Sequence, residues 1–215
     1  MRILDALDYD RLAADPKILI GFSDLTVLQT EIWRRLGLVT FSGPMIAGAQ
    51  FSKLADADLD LYFATLTRDE PPPPLGGDEA RVVLAGEAEG PLLGGNLSLL
   101  CHLAAAGRLP SLAGAVLLLE DVHEPPYRID RMLTALRLGG HLDGVAGVAA
   151  GEFGPAIEPM LLDSLFVDRL GDLIAPIVAG LPLGHGERNR LIPLGVRVRL
   201  TTAPAQVAFF ASGVR

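Results

Sequence analysis

Three side chains carry the chemistry on offer in this sequence: Ser23, Glu120 and His185, in that order along the chain. At Ser23 an apolar run, Ile18–Ile20, ends in Gly21, and Asp24 to Leu36 reads as a helix. A serine on a tight strand-to-helix turn has its hydroxyl pushed clear of the sheet. The new helix aims unpaired N–H groups and a positive dipole end at the same spot. Such a turn suits a nucleophile and the oxyanion it creates, with the Asp24 N–H as one oxyanion donor. Ser and Asp are also favoured N-cap residues, and taken alone this turn fits a helix cap better than a nucleophile.

Glu120 ends the apolar run Ala115–Leu119. A carboxylate there is costly unless paired or hydrogen-bonded, and a cap for the next turn is the plainer alternative. His185 stands between Gly184 and Gly186, on a loop with little steric cover; without context it reads as an exposed loop histidine. Serine, acid and histidine in this order match α/β-hydrolase triads, though unrelated folds reach the same geometry in other orders. In that arrangement His185 takes the Ser23 proton and Glu120 holds the imidazole tautomer.

The remaining candidates are weaker. His102 falls beside Cys101 within an expected helix and reads as a packing residue, while His123 and His141 fall in loops. No His-Glu-x-x-His or related spacing calls for a metal, and no cofactor is expected. Gly94-Gly95-Asn96-Leu97-Ser98 lacks the lysine of a P-loop and the third glycine of a dinucleotide fingerprint, so a mobile loop or tight turn is expected. Arg131 and Arg188 are candidates to hold a substrate carboxylate, with surface or structural pairing the simpler role for each.

The elements that must position these groups are read from periodicity. Ile3, Leu4, Leu7 and Leu12 suggest a helical lead-in. Short strands are expected at 18–20 and 38–41, around the helix 24–36 that Gly37 stops. Leu25, Leu28 and Ile32 should face inward. Another helix covers 56–65. Beyond it, 80–89 alternates like an edge strand and 90–96 reads as a glycine-rich loop. Helices are expected at 97–106, 129–138 and 160–170, and strands at 115–119, 145–150, 177–179, 196–200 and 206–210.

Of the 215 residues, 50% are hydrophobic and only 6% aromatic, so the core is aliphatic and suits an α/β protein with strands buried on both faces. Net charge is −8 with no basic cluster, which argues against nucleic-acid binding. A single cysteine excludes an intrachain disulfide. No apolar run approaches the roughly 18 residues of a membrane span, and the acid-rich N-terminus does not read as a secretory signal. A cytoplasmic protein is expected. Four consecutive prolines, Pro71–Pro74, mark a stiff connector that should pack little. The expected organisation is therefore residues 1–67 as the serine-bearing part, 68–80 as a hinge, and 81–215 as a C-terminal α/β domain with the acid and the histidine.

An ordered set of motifs adds to this reading. It comprises Leu7-Asp-Tyr9, Pro16-Lys17, Ile20-Gly-Phe-Ser-Asp-Leu-Thr26, Gly37 to Met45, Gly94-Gly-Asn-Leu-Ser98, Leu119-Glu-Asp-Val122, Glu124 with Pro126 to Leu133, and Gly184-His-Gly186. Together these resemble the LD-carboxypeptidase family of serine peptidases, which also includes microcin C immunity proteins. The resemblance implies Ser23 as nucleophile, Glu120 as supporting acid, His185 as base and the Asp24 N–H in the oxyanion hole. It also implies a parallel α/β N-terminal domain hinged to a C-terminal domain, and homodimers. The implied substrate is a cytoplasmic muropeptide that loses a terminal D-alanine at an L,D amide bond during cell-wall recycling. Met1 aligns inside the family's N-terminal domain, after its opening strands and a glycine-rich loop that supplies a second oxyanion donor. A truncated member is thus expected, whose strand before Ser23 lacks sheet neighbours. Two alternatives accompany it: an inactive remnant that serves as a binding module, and a hydrolase of peptide–nucleotide conjugates. No aromatic-rich insertion follows Asn96, which favours the muropeptide branch.

Overall fold

The computed structural model describes residues 1–214, a mixed α/β fold with two sheets. The N-terminal part builds the smaller sheet. After a short helix at Tyr9–Ala14 (α1), Ile20–Gly21 (β1) pairs in parallel with Thr40–Ser42 (β2). Thr26–Leu36 (α2) connects them and ends at Gly37, whose φ of 64° and N–H bond to the Trp33 carbonyl close the helix. Asp56–Thr67 (α3) follows. The expected strand at 18–20 begins later, and Ile18 is 53% exposed rather than buried. The predicted helix from Asp24 opens with a tight single turn, Ser23–Leu25, before α2 begins.

The larger sheet holds eight strands. Its centre is Glu87–Asn96 (β5), Val116–Glu120 (β6), Gly147–Ala150 (β7) and Ile177–Ala179 (β8), paired in parallel. Leu97–Ala105 (α4), Pro126–Leu138 (α5) and Pro159–Leu170 (α6) cover one face. Arg197–Thr202 (β10) and Ala205–Phe209 (β11) extend the sheet antiparallel beyond β5. Arg81–Leu84 (β4) closes the far edge against β8. The single alternating strand expected at 80–89 is therefore two strands at different places in the sheet. The Gly90–Asn96 stretch, read as a loop, is the second half of β5 and correspondingly ordered.

Two further strands have no periodic signal. Leu75–Gly76 (β3) pairs with β11, and Leu75 is fully buried. The proline-rich stretch thus packs into the sheet at this point, which corrects the expectation of a connector with few contacts. Ile192–Leu194 (β9) returns to the smaller sheet and pairs antiparallel with β2.

The alternation of β6 decides where its last residues point. Leu117 and Leu119 join the core under the helices, while Val116 and Leu118 join a second core with Leu181, Leu183 and Ile192 on the opposite face. By the two-residue period of a strand, Glu120 belongs to that opposite face and Asp121 to the helix face. None of the helices among the described residues is long and apolar enough to cross a membrane.

One buried carboxylate holds α2 in place. Glu31 is fully buried and accepts from Arg34, Arg35 and Arg108 at 2.7–3.1 Å. Arg108 also forks onto Asp5, and Arg35 lies 4.2 Å over the Tyr9 ring. The hydrogen bond from Arg34 is the largest cause holding the Glu31 carboxyl down to about 2, against an ordinary 4.5. A depressed carboxylate stabilises the fold fully above its unfolded value and loses that contribution as pH falls through the folded one. Thermal denaturation should show stability falling between pH 4.5 and 2. Glu31→Gln should flatten that segment and cost roughly 3 kcal/mol at neutral pH. Identical melting curves for both proteins would contradict this ion-pair assignment.

Candidate active site

Ser23 follows β1 closely. Gly21 is needed because the turn curls back over the strand end: a Cβ there would lie 2.0 Å from Leu25 Cδ1. The Ser23 backbone sits at φ 60°, left-handed and uncommon for a side chain-bearing residue, which costs about 1 kcal/mol or more. Strain of this kind recurs where a nucleophile is lifted from a strand end. Gln29, buried in α2, donates to the carbonyls of Gly21 and Phe41 at 2.9 and 2.7 Å, and so fixes the ends of both strands.

Glu120 and His185 meet. The carboxylate Oε2 lies 2.7 Å from His185 Nδ1. Glu120 is 3% exposed, and its other oxygen, Oε1, is buried without a partner among the described residues. A buried carboxylate with one partner is expensive, so Glu120 is committed to the imidazole. The hydrogen bond that the ring donates to Glu120 raises the His185 pKa above its ordinary value, against the lowering effect of burial. Since a carboxylate only accepts, the contact assigns the proton to Nδ1 and leaves Nε2 as the ring's acceptor.

On the serine side it is the neighbouring residue, Phe22, that touches the imidazole. The Phe22 ring packs edge-on against the His185 ring, centroids 4.9 Å apart. Among the described residues His185 is hydrogen-bonded to Glu120 and not to Ser23, and such contacts often tighten only when substrate is present. Asp24 is exposed at the open end of the turn, where the first N–H groups of a helix have no internal partner.

The glycine-rich motif shapes the junction between the sheet and α2. Gly94 and Gly95 have φ of 124° and 143°. A Cβ on Gly94 would meet the Leu118 carbonyl oxygen at 2.2 Å, and one on Gly95 would meet Thr26 Oγ1 at 2.7 Å. Their absence lets β5 approach both β6 and the start of α2. The Asn96 N–H then donates to Thr26 Oγ1 at 3.1 Å, while Asn96 stands in register with Glu120. Asp121 turns to the helix face and accepts from Asn96, from the Ser98 N–H and hydroxyl, and from the Val122 N–H.

One expectation changes, and the two candidate arginines take the simpler role expected of them. His102 is exposed and lines a shallow cleft rather than packing in a core. Burial pushes the Cys101 thiol up to about 11, so it is no nucleophile. Arg131 stacks 5.5 Å from the Tyr127 ring, and Arg188 pairs with Glu79 at 3.4 Å. Sequence reasoning missed Gln50 and Asn189, which hydrogen-bond each other and the backbone around His185. They lie 139 positions apart, and no spacing rule links them.

Comparisons with known proteins identify the family. The C-terminal domain family of LD-carboxypeptidases matches residues 89–200, and the N-terminal domain family matches residues 1–43. A relative from Streptomyces coelicolor, a putative carboxypeptidase, is 42% identical over 201 residues, 93% of this chain and 64% of its own. The murein tetrapeptide carboxypeptidase of Pseudomonas aeruginosa is 34% identical over 210 residues, 90% of this chain and 66% of its own. The crystal structure of muramoyltetrapeptide carboxypeptidase from Oxalobacter formigenes superposes with a TM-score of 0.78 at 31% identity, covering 96% of this chain and 73% of that one. The chain belongs to the LD-carboxypeptidase family. It spans less than two thirds of the length of both of those relatives.

Gly184 offers a test of the carboxylate–imidazole contact. It has φ 100°, and a Cβ there would lie 2.7 Å from Glu120 Oε2. Gly184→Ala should separate the pair, and Glu120→Gln should remove its charge. In both, the His185 titration followed by NMR should move to lower pH, because the carboxylate favours the protonated ring. An unmoved titration would show that the two groups are not coupled.

Proposed function

We propose that this chain carries the catalytic centre of a serine-type carboxypeptidase that cuts the L,D amide bond before a terminal D-alanine of a muropeptide. The observation that supports this reading best is the 2.7 Å contact between Glu120 and His185 beside the Ser23 turn. In this reading residues 1–67 bring the nucleophile, 68–80 join the two parts, and 81–215 bring the acid and the base. The enzyme works in the cytoplasm as a homodimer and needs no cofactor. The family membership and the murein-cleaving relatives support the substrate class.

The steps are those the groups present allow. His185 Nε2 removes the Ser23 hydroxyl proton as Oγ attacks the scissile carbonyl. The developing oxyanion accepts from the Asp24 N–H. The imidazolium, held by Glu120, returns its proton to the departing D-alanine nitrogen, which leaves an acyl-serine. Water, deprotonated by the same ring, then hydrolyses the ester and restores Ser23.

Incubation with a muropeptide tetrapeptide, with free D-alanine quantified, tests the proposal. D-Alanine release is expected, and Ser23→Ala should reduce it by roughly 10⁴-fold or more. Release that survives in Ser23→Ala would end the triad assignment. Binding of the tetrapeptide without turnover would leave a binding module. Cleavage of an acyl-sulfamoyl adenylate in its place would move the substrate to peptide–nucleotide conjugates.

A further inference from the structure

His185 sits on a loop that no regular element supports. The loop is closed at its base by the Arg190 N–H on the Pro182 carbonyl, 2.9 Å. Two flanking glycines leave its backbone free to move, yet a base must hold its ring to within a fraction of an ångström of its target. The structure supplies the restraint from elsewhere. Gln50, on the segment between β2 and α3, sends its amide Nε2 to the carbonyls of both neighbours of His185: Gly184 at 3.1 Å and Gly186 at 2.8 Å. Its Oε1 accepts from Asn189 Nδ2 at 3.0 Å, and Asn189 Oδ1 accepts from the Gly184 N–H at 3.1 Å. Asn189 is 3% exposed.

The geometry points to Gln50 as a positioning residue for His185. It straddles the histidine and binds the loop to the serine-bearing part of the chain. This rests on the reading of His185 as the base. A primary amide suits the task, because both N–H groups and the oxygen find partners at once. Glutamate has the same shape but no donors, and would set a negative charge against two carbonyl oxygens. The segment that presents Gln50 is itself fixed. Tyr62, fully buried in α3, donates to the Pro44 carbonyl at 2.9 Å, and the Phe51 ring packs 5.1 Å from Tyr62. Gln50 therefore reports the position of the serine layer to the histidine loop, and it does so without touching substrate.

The test uses the full chain with Gln50→Leu and Gln50→Met, neutral replacements that remove the amide donors, and reads the His185 titration by NMR alongside thermal melting and turnover. The expected result is a His185 titration moved to lower pH in both variants, toward that of Glu120→Gln, with cooperative melting retained. In turnover, kcat should fall by roughly 10²-fold while KM changes little. Should Gln50→Leu not fold, Gln50→Met decides alone. A His185 titration at the wild-type position in the folded variants overturns the assignment, as does an unchanged kcat. The NMR readout needs no substrate. A chain that cleaves no muropeptide would defeat the proposed activity, and the His185 titration would still decide the positioning role.

Discussion

One hydrogen bond, from the Asn96 N–H to Thr26 Oγ1, ties the strand end that stands beside the acid to the turn that carries the serine. Thr26 begins α2, just beyond the Ser23 turn. Asn96 ends β5 in register with Glu120 on β6. The bond exists only because Gly95 has no side chain, since a Cβ would collide with that same threonine oxygen. Once this approach is made, the strand end bearing the acid and the turn bearing the serine cannot be placed independently. From there Glu120 emerges on the face opposite the helices, His185 meets it, and Phe22 packs edge-on against the imidazole.

Much of this was legible in the sequence, and the failures have physical causes. The central strands and covering helices were readable because apolar runs buried on both faces and 3.6-residue periods are strong local signals. Ser23 and Glu120 were singled out by their positions at element ends and His185 by its flanking glycines, and the structure brings the last two into contact. The Gly94-Gly95-Asn96 stretch was misread as a loop because glycine normally weakens a strand. Here its lack of a side chain is what allows backbone to approach backbone. Leu75–Gly76 and Ile192–Leu194 were invisible because two- and three-residue strands carry no period. Gln50 and Asn189 were invisible for another reason: their partners include backbone groups on a distant loop, and no local pattern encodes such a contact.

The site is also divided in how it is held. Glu120 is built into a central strand and Ser23 into a strained turn fixed by Gln29, so both stand on rigid elements. His185 alone stands on a loop, and its position depends on hydrogen bonds from the other side of the site. A site made this way is assembled by the docking of two parts of the chain, and any weakness in that docking is felt first at the imidazole.

The claim that Ser23, Glu120 and His185 act as one unit is tested most directly by covalent labelling. The chain would be treated with a fluorophosphonate, and the modified residue and its rate of modification determined by peptide mass mapping. The account predicts an adduct on Ser23, formed at a rate that rises with pH as His185 loses its proton and nearly abolished in His185→Ala. An adduct on another serine, or Ser23 labelling at the same rate in that variant, would contradict it.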